Sequence, residues 1–144
     1  MNDQEKKDQI ARIFEIFNSK DLDALDDIFA PDYVEHSVMG DIHGVPSFKD
    51  FVGMWMAAFP DATFEISNVI VEGDLAAWVT RFRGTNTGPL MGMPPTGKSV
   101  DVQGLNMGRI DDEGRPTEHW TGNDQFQLMQ QLGLIPEMAG APAG

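Results

Sequence analysis

The sequence contains no cysteine and few basic residues, and both shortages exclude whole classes of function. With Cys 0, the chain can form neither a disulfide nor a thiolate metal site or nucleophile. Its 10 Lys and Arg residues face 23 Asp and Glu residues, which leaves a net charge of -13. Such a charge repels phosphate backbones and anionic lipid surfaces. We therefore expect neither nucleic acid nor a membrane as a partner.

Long apolar runs and cofactor motifs are missing as well. No stretch approaches the roughly 18 apolar residues of a membrane-spanning helix, and residues 1–8 are strongly polar. These features predict a cytoplasmic protein without an export signal. Patterns for phosphate loops, dinucleotide binding, zinc sites and nucleophile elbows do not occur. Besides its carboxylates, the chain has only three histidines as potential metal ligands. We therefore expect no metal and no cofactor.

Apolar residues with helical spacing dominate the N-terminal part of the chain. Three stripes occur, at Ile10, Ile13, Phe14 and Phe17, at Leu22, Leu25, Ile28 and Phe29, and at Phe48, Phe51, Val52, Trp55 and Phe59. They predict a helical hairpin followed by a third helix over residues 47–59. Pro31 and Pro60 end the second and third helices, because proline cannot continue a helix.

After Pro60 the period changes to the alternation that is typical of strands. Together with residues 32–38, strands are predicted at 64–71, 75–82, 98–110 and 116–122, with a loop at 40–46 and a last short helix through Leu132. Helices followed by strands predict an α+β fold, a curved antiparallel sheet whose concave face the N-terminal helices cover. We expect one domain over residues 1–136 and a flexible C-terminal tail over 137–144. The Gly-rich stretch 84–97 is either a lip over a pocket or a protruding hairpin end or dimer contact.

Strand alternation indicates which polar side chains point into a pocket between helices and sheet. In residues 100–110, Asn106 shares an apolar face with Gly104 and Gly108, which leave room beside its amide. Asn106 is then either a hydrogen-bond donor in an apolar ligand site or an amide bonded to a neighbouring strand. In the last strand, His119 and Thr121 share one face and Asp124 lies on the other, and either face can point inward.

Several other residues have a structural alternative beside a functional one. Asp124 is a substrate-binding candidate and also a good N-cap for the last helix. His36 shares a strand face with Val34 and Val38, as a catalyst or as a core histidine. The aromatic candidates for the pocket wall, which are equally suited to a plain core, are Phe14, Phe51 and Trp55.

Six short motifs give the chain a family resemblance over about residues 5–136. They are NSKDLD at 18–23, YVEH at 33–36, FPD at 59–61, GTNTG at 84–88, MGMPPTGK at 91–98 and QQLG at 130–133. With these motifs the chain resembles the SnoaL-like polyketide cyclases, within the superfamily that includes ketosteroid isomerase, scytalone dehydratase and nuclear transport factor two. The resemblance implies a cone-like α+β barrel with an internal pocket.

The resemblance also assigns expected roles to individual positions. It places the acid/base Asp of the cyclases at Thr121, and their Gln and His at Gly104 and Asn106. The base of ketosteroid isomerase falls at His36 and its oxyanion donor at Asn106. The strand patterns and the resemblance together give His36, Asn106 and Thr121 as candidate catalytic residues. The candidate substrate-binding residues, most of them from the helix and strand patterns, are Trp55, Phe51, Phe14, Gly104, His119 and Asp124.

The function predicted from these observations is cyclisation or isomerisation of an apolar polyketide-like or carbonyl compound, without a cofactor. The alternative is a non-catalytic binding or carrier protein that holds the same small apolar molecule. Relatives commonly dimerise through an open sheet face. Leu105 and Met107, on the face away from Asn106, therefore predict a homodimer.

Overall fold

The computed structural model describes residues 1–136, and its sheet is built mainly from the second half of the chain. The helices are α1 (Asp3–Ser19), a 3-10 helix (Leu22–Asp27), α2 (Val45–Ala58) and α3 (Gln125–Gln131). The strands are β1 (Val34–Ser37), β2 (Gly40–His43), β3 (Thr63–Glu72), β4 (Leu75–Thr85), β5 (Ser99–Ile110) and β6 (Pro116–Asn123). The predicted tail, 137–144, lies outside the described residues.

The first helix begins and ends at residues whose chemistry favours helix boundaries. Asn2 and Glu5 form a capping box, in which each side chain accepts from the backbone of the other. The helix ends at Lys20, which adopts a left-handed conformation with φ 65. Its apolar stripe is buried against the sheet, as predicted, through Ile10, Ile13, Phe14 and Phe17.

Two predicted elements differ in the structure. The second helix is a single 3-10 segment, and Ile28 and Phe29 are buried beyond its end. The predicted loop at 40–46 contains β2, because Gly40 adopts φ 101 and allows the chain to turn back onto β1. This hairpin adds two strands at one edge of the sheet.

The six strands form one mixed sheet in the order β2-β1-β6-β5-β4-β3. β1 pairs with β6 in parallel, whereas the other neighbours pair antiparallel. The α+β fold is confirmed, but the expectation of a wholly antiparallel sheet was wrong for this one pair. The sheet is also not closed into a barrel, since β2 and β3 are its two edges. β6 lies between β5 and β1. This position brings the polar residues of β1 next to those of β6.

One face of the sheet packs against the helices and the other is open. Along β4 and β5 every second residue is buried, as the alternation predicted. Two apolar clusters fill the covered side, one around α1 and Trp78 and one around Phe59 and Leu132. Across residues 1–136, the structure shows no helix with the length and apolar character needed to cross a membrane.

Candidate functional site

A cavity of about 160 Å³ lies between the helices and the covered face of the sheet. Its wall is largely aromatic, and it includes Phe14, Phe51 and Trp55 as the sequence predicted. The remaining aromatic lining residues are Phe17, Phe29, Tyr33, Phe48, Phe64, Trp78 and Phe82. Val38, in the β1–β2 turn, lines the cavity and is 60% exposed. No residue of the described stretch 84–97 lines it, so the Gly-rich loop is not a lip over this cavity.

A carboxylate, Glu35, forms the centre of the polar part of the wall. It is only 3% exposed, because strand alternation directs it inward from β1. Glu35 accepts hydrogen bonds from the hydroxyl of Tyr33 at 2.9 Å and from Thr121 Oγ1 at 2.8 Å. Burial, and then the charge of Glu35, raise the pKa of the Tyr33 phenol well above its usual range, so Tyr33 stays a donor.

His119 is the third partner of Glu35. The two residues are paired across the parallel strands, and His119 Nδ1 lies 2.6 Å from Glu35 Oε2. The imidazole stacks on the indole of Trp78, with ring centroids 5.4 Å apart and planes 7° apart. Gly108, the β5 residue that is paired with His119, leaves room for the indole, since a Cβ there would lie 3.0 Å from Trp78. His119 Nε2 is buried and has no hydrogen-bond partner among residues 1–136.

Asn106 lies on β5, two residues before Gly108, and has a neighbour on each adjacent strand. It is paired with Trp78 on β4 and with Thr121 on β6. Its Nδ2 donates to Thr80 Oγ1 at 2.8 Å, so Asn106 both lines the cavity and bonds a neighbouring strand. Trp78 Nε1 is buried and finds no acceptor within the described chain. The structure therefore brings together Asn106, Thr121 and His119 from the sequence candidates.

His36 is not in this group, contrary to the prediction. It points to the open face of the sheet, where its nitrogens lie 2.7 Å from Asp41 and 2.7 Å from Glu118. Its ring stacks on Trp120, which also faces outward. The physical reason is alternation from buried Tyr33: Glu35 follows it on the inner face, and His36 is on the other face.

Two further candidates lie outside the cavity wall. Asp124 caps α3, accepting from the backbone N–H of Gln127 at 3.0 Å, which is the structural alternative considered for it. Gly104 lies against Asn123 of β6, and a side chain at this position would collide with Asn123. Its role is thus to allow close strand packing, and it is not among the residues that line the cavity.

Sequence reasoning missed Glu35, Tyr33 and Trp78. A signal for Glu35 was present, because Tyr33 is a large aromatic residue at the same strand parity and apolar bulk marks the inner face. Alternation in β4 likewise puts Trp78 on the buried face. Its stacking on His119 could not be found in this way, since the partner is on another strand. No cluster of potential metal ligands occurs in the described part of the chain.

Comparison with known proteins agrees with this architecture. The family model of the SnoaL-like polyketide cyclases matches residues 8–132. The nogalonic acid methyl ester cyclase of Streptomyces nogalater is 30% identical over 122 residues, covering 81% of this chain and 89% of the cyclase.

Solved structures give the same result. IdmH from Streptomyces antibioticus, a proposed polyketide cyclase, has a TM-score of 0.76 and 35% identity, covering 89% of this chain and 98% of IdmH. AclR from Streptomyces galilaeus, a proposed hydroxylase, has a TM-score of 0.84 and 25% identity, covering 96% of this chain and 87% of AclR. One scaffold thus accompanies different activities. From the matched residues 8–132 and the shared fold, the chain belongs to the SnoaL-like polyketide cyclase family.

Proposed function

We propose that the protein cyclises or isomerises a mostly apolar carbonyl compound, with His119 as the proton-transferring group and Glu35 as its orienting carboxylate. One observation carries the proposal: Glu35 holds His119 Nδ1 at 2.6 Å, and Nε2 has no partner within residues 1–136. His119 lines the cavity, but Nε2 itself is covered by neighbouring groups. A substrate proton therefore reaches Nε2, and supplies its missing partner, only once a neighbouring side chain moves aside.

The pairing fixes the tautomer of the imidazole. An ionised carboxylate only accepts hydrogen bonds, so the proton of neutral His119 lies on Nδ1 and the lone pair on Nε2. A positioned imidazole of this kind accepts a proton from carbon and returns it to oxygen, as a general base and then a general acid. The carboxylate stabilises the imidazolium formed between the two transfers.

Donors for the substrate oxygen lie beside the imidazole. Asn106 Nδ2 carries two hydrogens and gives one to Thr80, which leaves one for a carbonyl or enolate oxygen. In a cyclisation, the carbon deprotonated by His119 attacks a second carbonyl of the same molecule, and the new alkoxide takes the proton back. Bonds and protons balance without any co-reactant.

The family resemblance supports a carboxylate at this place in the cavity. The acid/base Asp of the cyclases corresponds to Thr121 in this chain, and Thr121 donates its hydroxyl hydrogen to Glu35. A carboxylate from β1 therefore lies next to the position where the relatives have theirs on β6. Among the residues of 1–136 that line the cavity, Arg109 is the only Lys or Arg, and it is paired with Asp74. A neutral ligand suits this wall.

The test is incubation of the purified protein with nogalonic acid methyl ester and with neutral polyketide esters, followed by mass spectrometry. We expect an isomeric product, or that product less water, only when protein is present. Retention of a bound compound that is recovered unchanged under all conditions would overturn catalysis and leave the carrier function.

We also propose that the open sheet face is a homodimer interface. Leu105 is 71% exposed and Ile70 66% exposed on this face, and exposed apolar residues grouped on one face are typical of interaction surfaces. The charged residues at its margin are paired within the chain, as in Arg81 with Asp101 at 2.6 Å. Replacing Leu105 by Asp buries a charge in such an interface.

Sedimentation equilibrium checks this proposal. The wild type should sediment as a dimer, and Leu105→Asp should shift the mass to that of a monomer. The matched control is Phe126→Asp, since Phe126 is a 53% exposed apolar residue on α3, away from the sheet face. A monomeric wild type at micromolar concentration would contradict the proposal.

A further inference from the structure

The dipeptide Glu-His occurs twice in the sequence, at 35–36 in β1 and at 118–119 in β6. Adjacent residues of a strand point to opposite faces of the sheet. In β1 the carboxylate of Glu35 points inward and the imidazole of His36 outward. In β6 the order is reversed: the Glu118 carboxylate reaches out to His36, although Glu118 also borders the cavity, and His119 points inward. The strands therefore form two crossed His-carboxylate pairs, one on each face.

We propose that the outer pair, His36 with Glu118, is a positioning pair that fixes β1 against β6 and thereby holds Glu35 on His119. This proposal rests on the proposed function for the role of the inner pair. His36 touches no substrate, since it lies on the face away from the cavity. Its effect passes through the backbone. Because residues 35 and 36 are adjacent in β1, contacts that hold the His36 side chain also fix the position of Glu35.

The backbone contact between the two strands is small. β1 spans only Val34–Ser37, and three of its residues have partners on β6. Parallel pairing is slightly weaker per residue than antiparallel pairing. A slip of one residue would move Glu35 to the open face and His36 to the cavity. Side-chain contacts across this seam therefore have a large share in fixing its register.

His36 is held at both ring nitrogens and by one stacking contact. Nε2 lies 2.7 Å from Glu118 Oε2 and Nδ1 lies 2.7 Å from Asp41 Oδ1, so one imidazole bridges β2 and β6. The ring stacks on Trp120, with centroids 5.2 Å apart. From β5, Arg109 Nε reaches Glu118 Oε1 at 3.5 Å and steadies the carboxylate. These contacts favour a doubly protonated, charged imidazole.

The hydrogen bonds to Glu118 and then to Asp41 raise the pKa of His36 above its ordinary value. A raised pKa stabilises the fold fully below the unfolded value of about 6.5, and this contribution is lost as pH rises through the folded value. We therefore expect the difference in free energy of unfolding between wild type and His36→Gln to shrink above about pH 6.5. Urea titrations at a series of pH values measure it, and a difference that grows with pH would contradict this sign.

The experiment observes His119 directly and needs no substrate. Nitrogen-15 NMR of the intact protein resolves the three imidazoles, which His→Gln variants assign. In wild type the Nδ1 proton of His119 should appear at low field and exchange slowly. In His36→Leu and Glu118→Leu this proton should exchange about tenfold faster, because the Glu35 contact loosens. The matched control is His43→Leu, on exposed β2, which should change nothing.

Conservative variants separate positioning from plain destabilisation. Glu118→Gln and His36→Gln keep a hydrogen-bonding group across the seam, and they should restore most of the His119 signal. If a Leu variant fails to fold, the Gln variants take its place. Relative to wild type, the exchange of their His119 Nδ1 proton should be faster, but by less than is expected for the Leu variants. On any substrate that the wild type converts, His36→Leu should lower kcat about 10- to 100-fold with little change in KM.

The possible outcomes are distinct. An unchanged His119 signal in both Leu variants overturns the positioning pair, whatever the turnover. A shifted His119 signal together with full turnover in Glu35→Gln would leave the positioning pair standing and refute the proposed function. A shifted signal with lost turnover supports both.

Discussion

Glu35→Gln is expected to lower turnover by about 10²- to 10⁴-fold, the range for removing a general acid/base function. The amide keeps the size of the carboxylate but no longer stabilises an imidazolium at His119. It also donates as well as accepts, so it can turn His119 to the other tautomer and place the proton on Nε2. The base that the cavity presents is then lost. His119→Gln removes the same function and should show a loss of the same size.

The two losses should not add, because the residues act as one unit. The double variant is expected to be about as slow as either single variant, measured as kcat/KM by product mass spectrometry. His43→Gln is the matched control, since His43 is exposed on β2 and outside the cavity wall. A double variant slower than both singles by the product of their effects would argue against a dyad.

Stability should change little in Glu35→Gln. Tyr33 and Thr121 donate to different oxygens of Glu35. The amide oxygen of Gln accepts from one of these hydroxyls, and the other hydroxyl can turn to accept from the new NH2, so few buried groups are left without a partner. A midpoint of urea unfolding close to that of wild type is the expected result. If the variant were instead unfolded, Thr121→Val would test the site, since it removes one donor to Glu35 and leaves the imidazole in place.

The fold could be predicted from the sequence because its signals are local. Stripes of apolar residues define α1 and α2, and period-two alternation defines β4 and β5 down to the buried side of each strand. The parallel pairing of β1 with β6 could not be found in this way. It joins residues more than eighty positions apart, as in the contact of Glu35 with His119, and no local pattern records such a contact.

The site was predictable only where one strand was enough to define it. Asn106 was placed on the inner face because its own strand alternates clearly. The flanking Val34 and Val38 favour His36 as the inner-face residue, whereas buried Tyr33 sets the parity of this short strand and directs Glu35 inward. A histidine is the more usual general base near neutral pH, which favours His36 in the sequence. Packing of the strand nevertheless places Glu35 inside. A buried ionisable group is tolerated where hydrogen-bond partners surround it. For Glu35, two of the three partners, His119 and Thr121, come from β6.

Asn86 offers the opposite experiment, a residue whose loss should affect stability and leave the chemistry intact. It is 1% exposed and lies at the start of the Gly-rich loop. Its Nδ2 donates to the carbonyl oxygens of Ala58 and Gly88 at 3.2 and 2.9 Å. Its Oδ1 accepts from the backbone and the hydroxyl of Thr96 at 2.9 and 3.0 Å. One amide thus joins both stems of the loop to the end of α2.

Asn86→Ala removes all four hydrogen bonds and leaves buried partners unpaired. We expect a loss of about 2–4 kcal/mol in the free energy of unfolding, because each buried unsatisfied group costs about 1–3 kcal/mol. Urea unfolding at neutral pH measures it, with exposed Thr87→Ala as the control, expected within about 0.5 kcal/mol of wild type. The turnover of the folded fraction should remain, since no residue of 84–97 lines the cavity within the described chain. A stable but inactive Asn86→Ala would place this loop in the catalytic machinery and contradict a purely structural role.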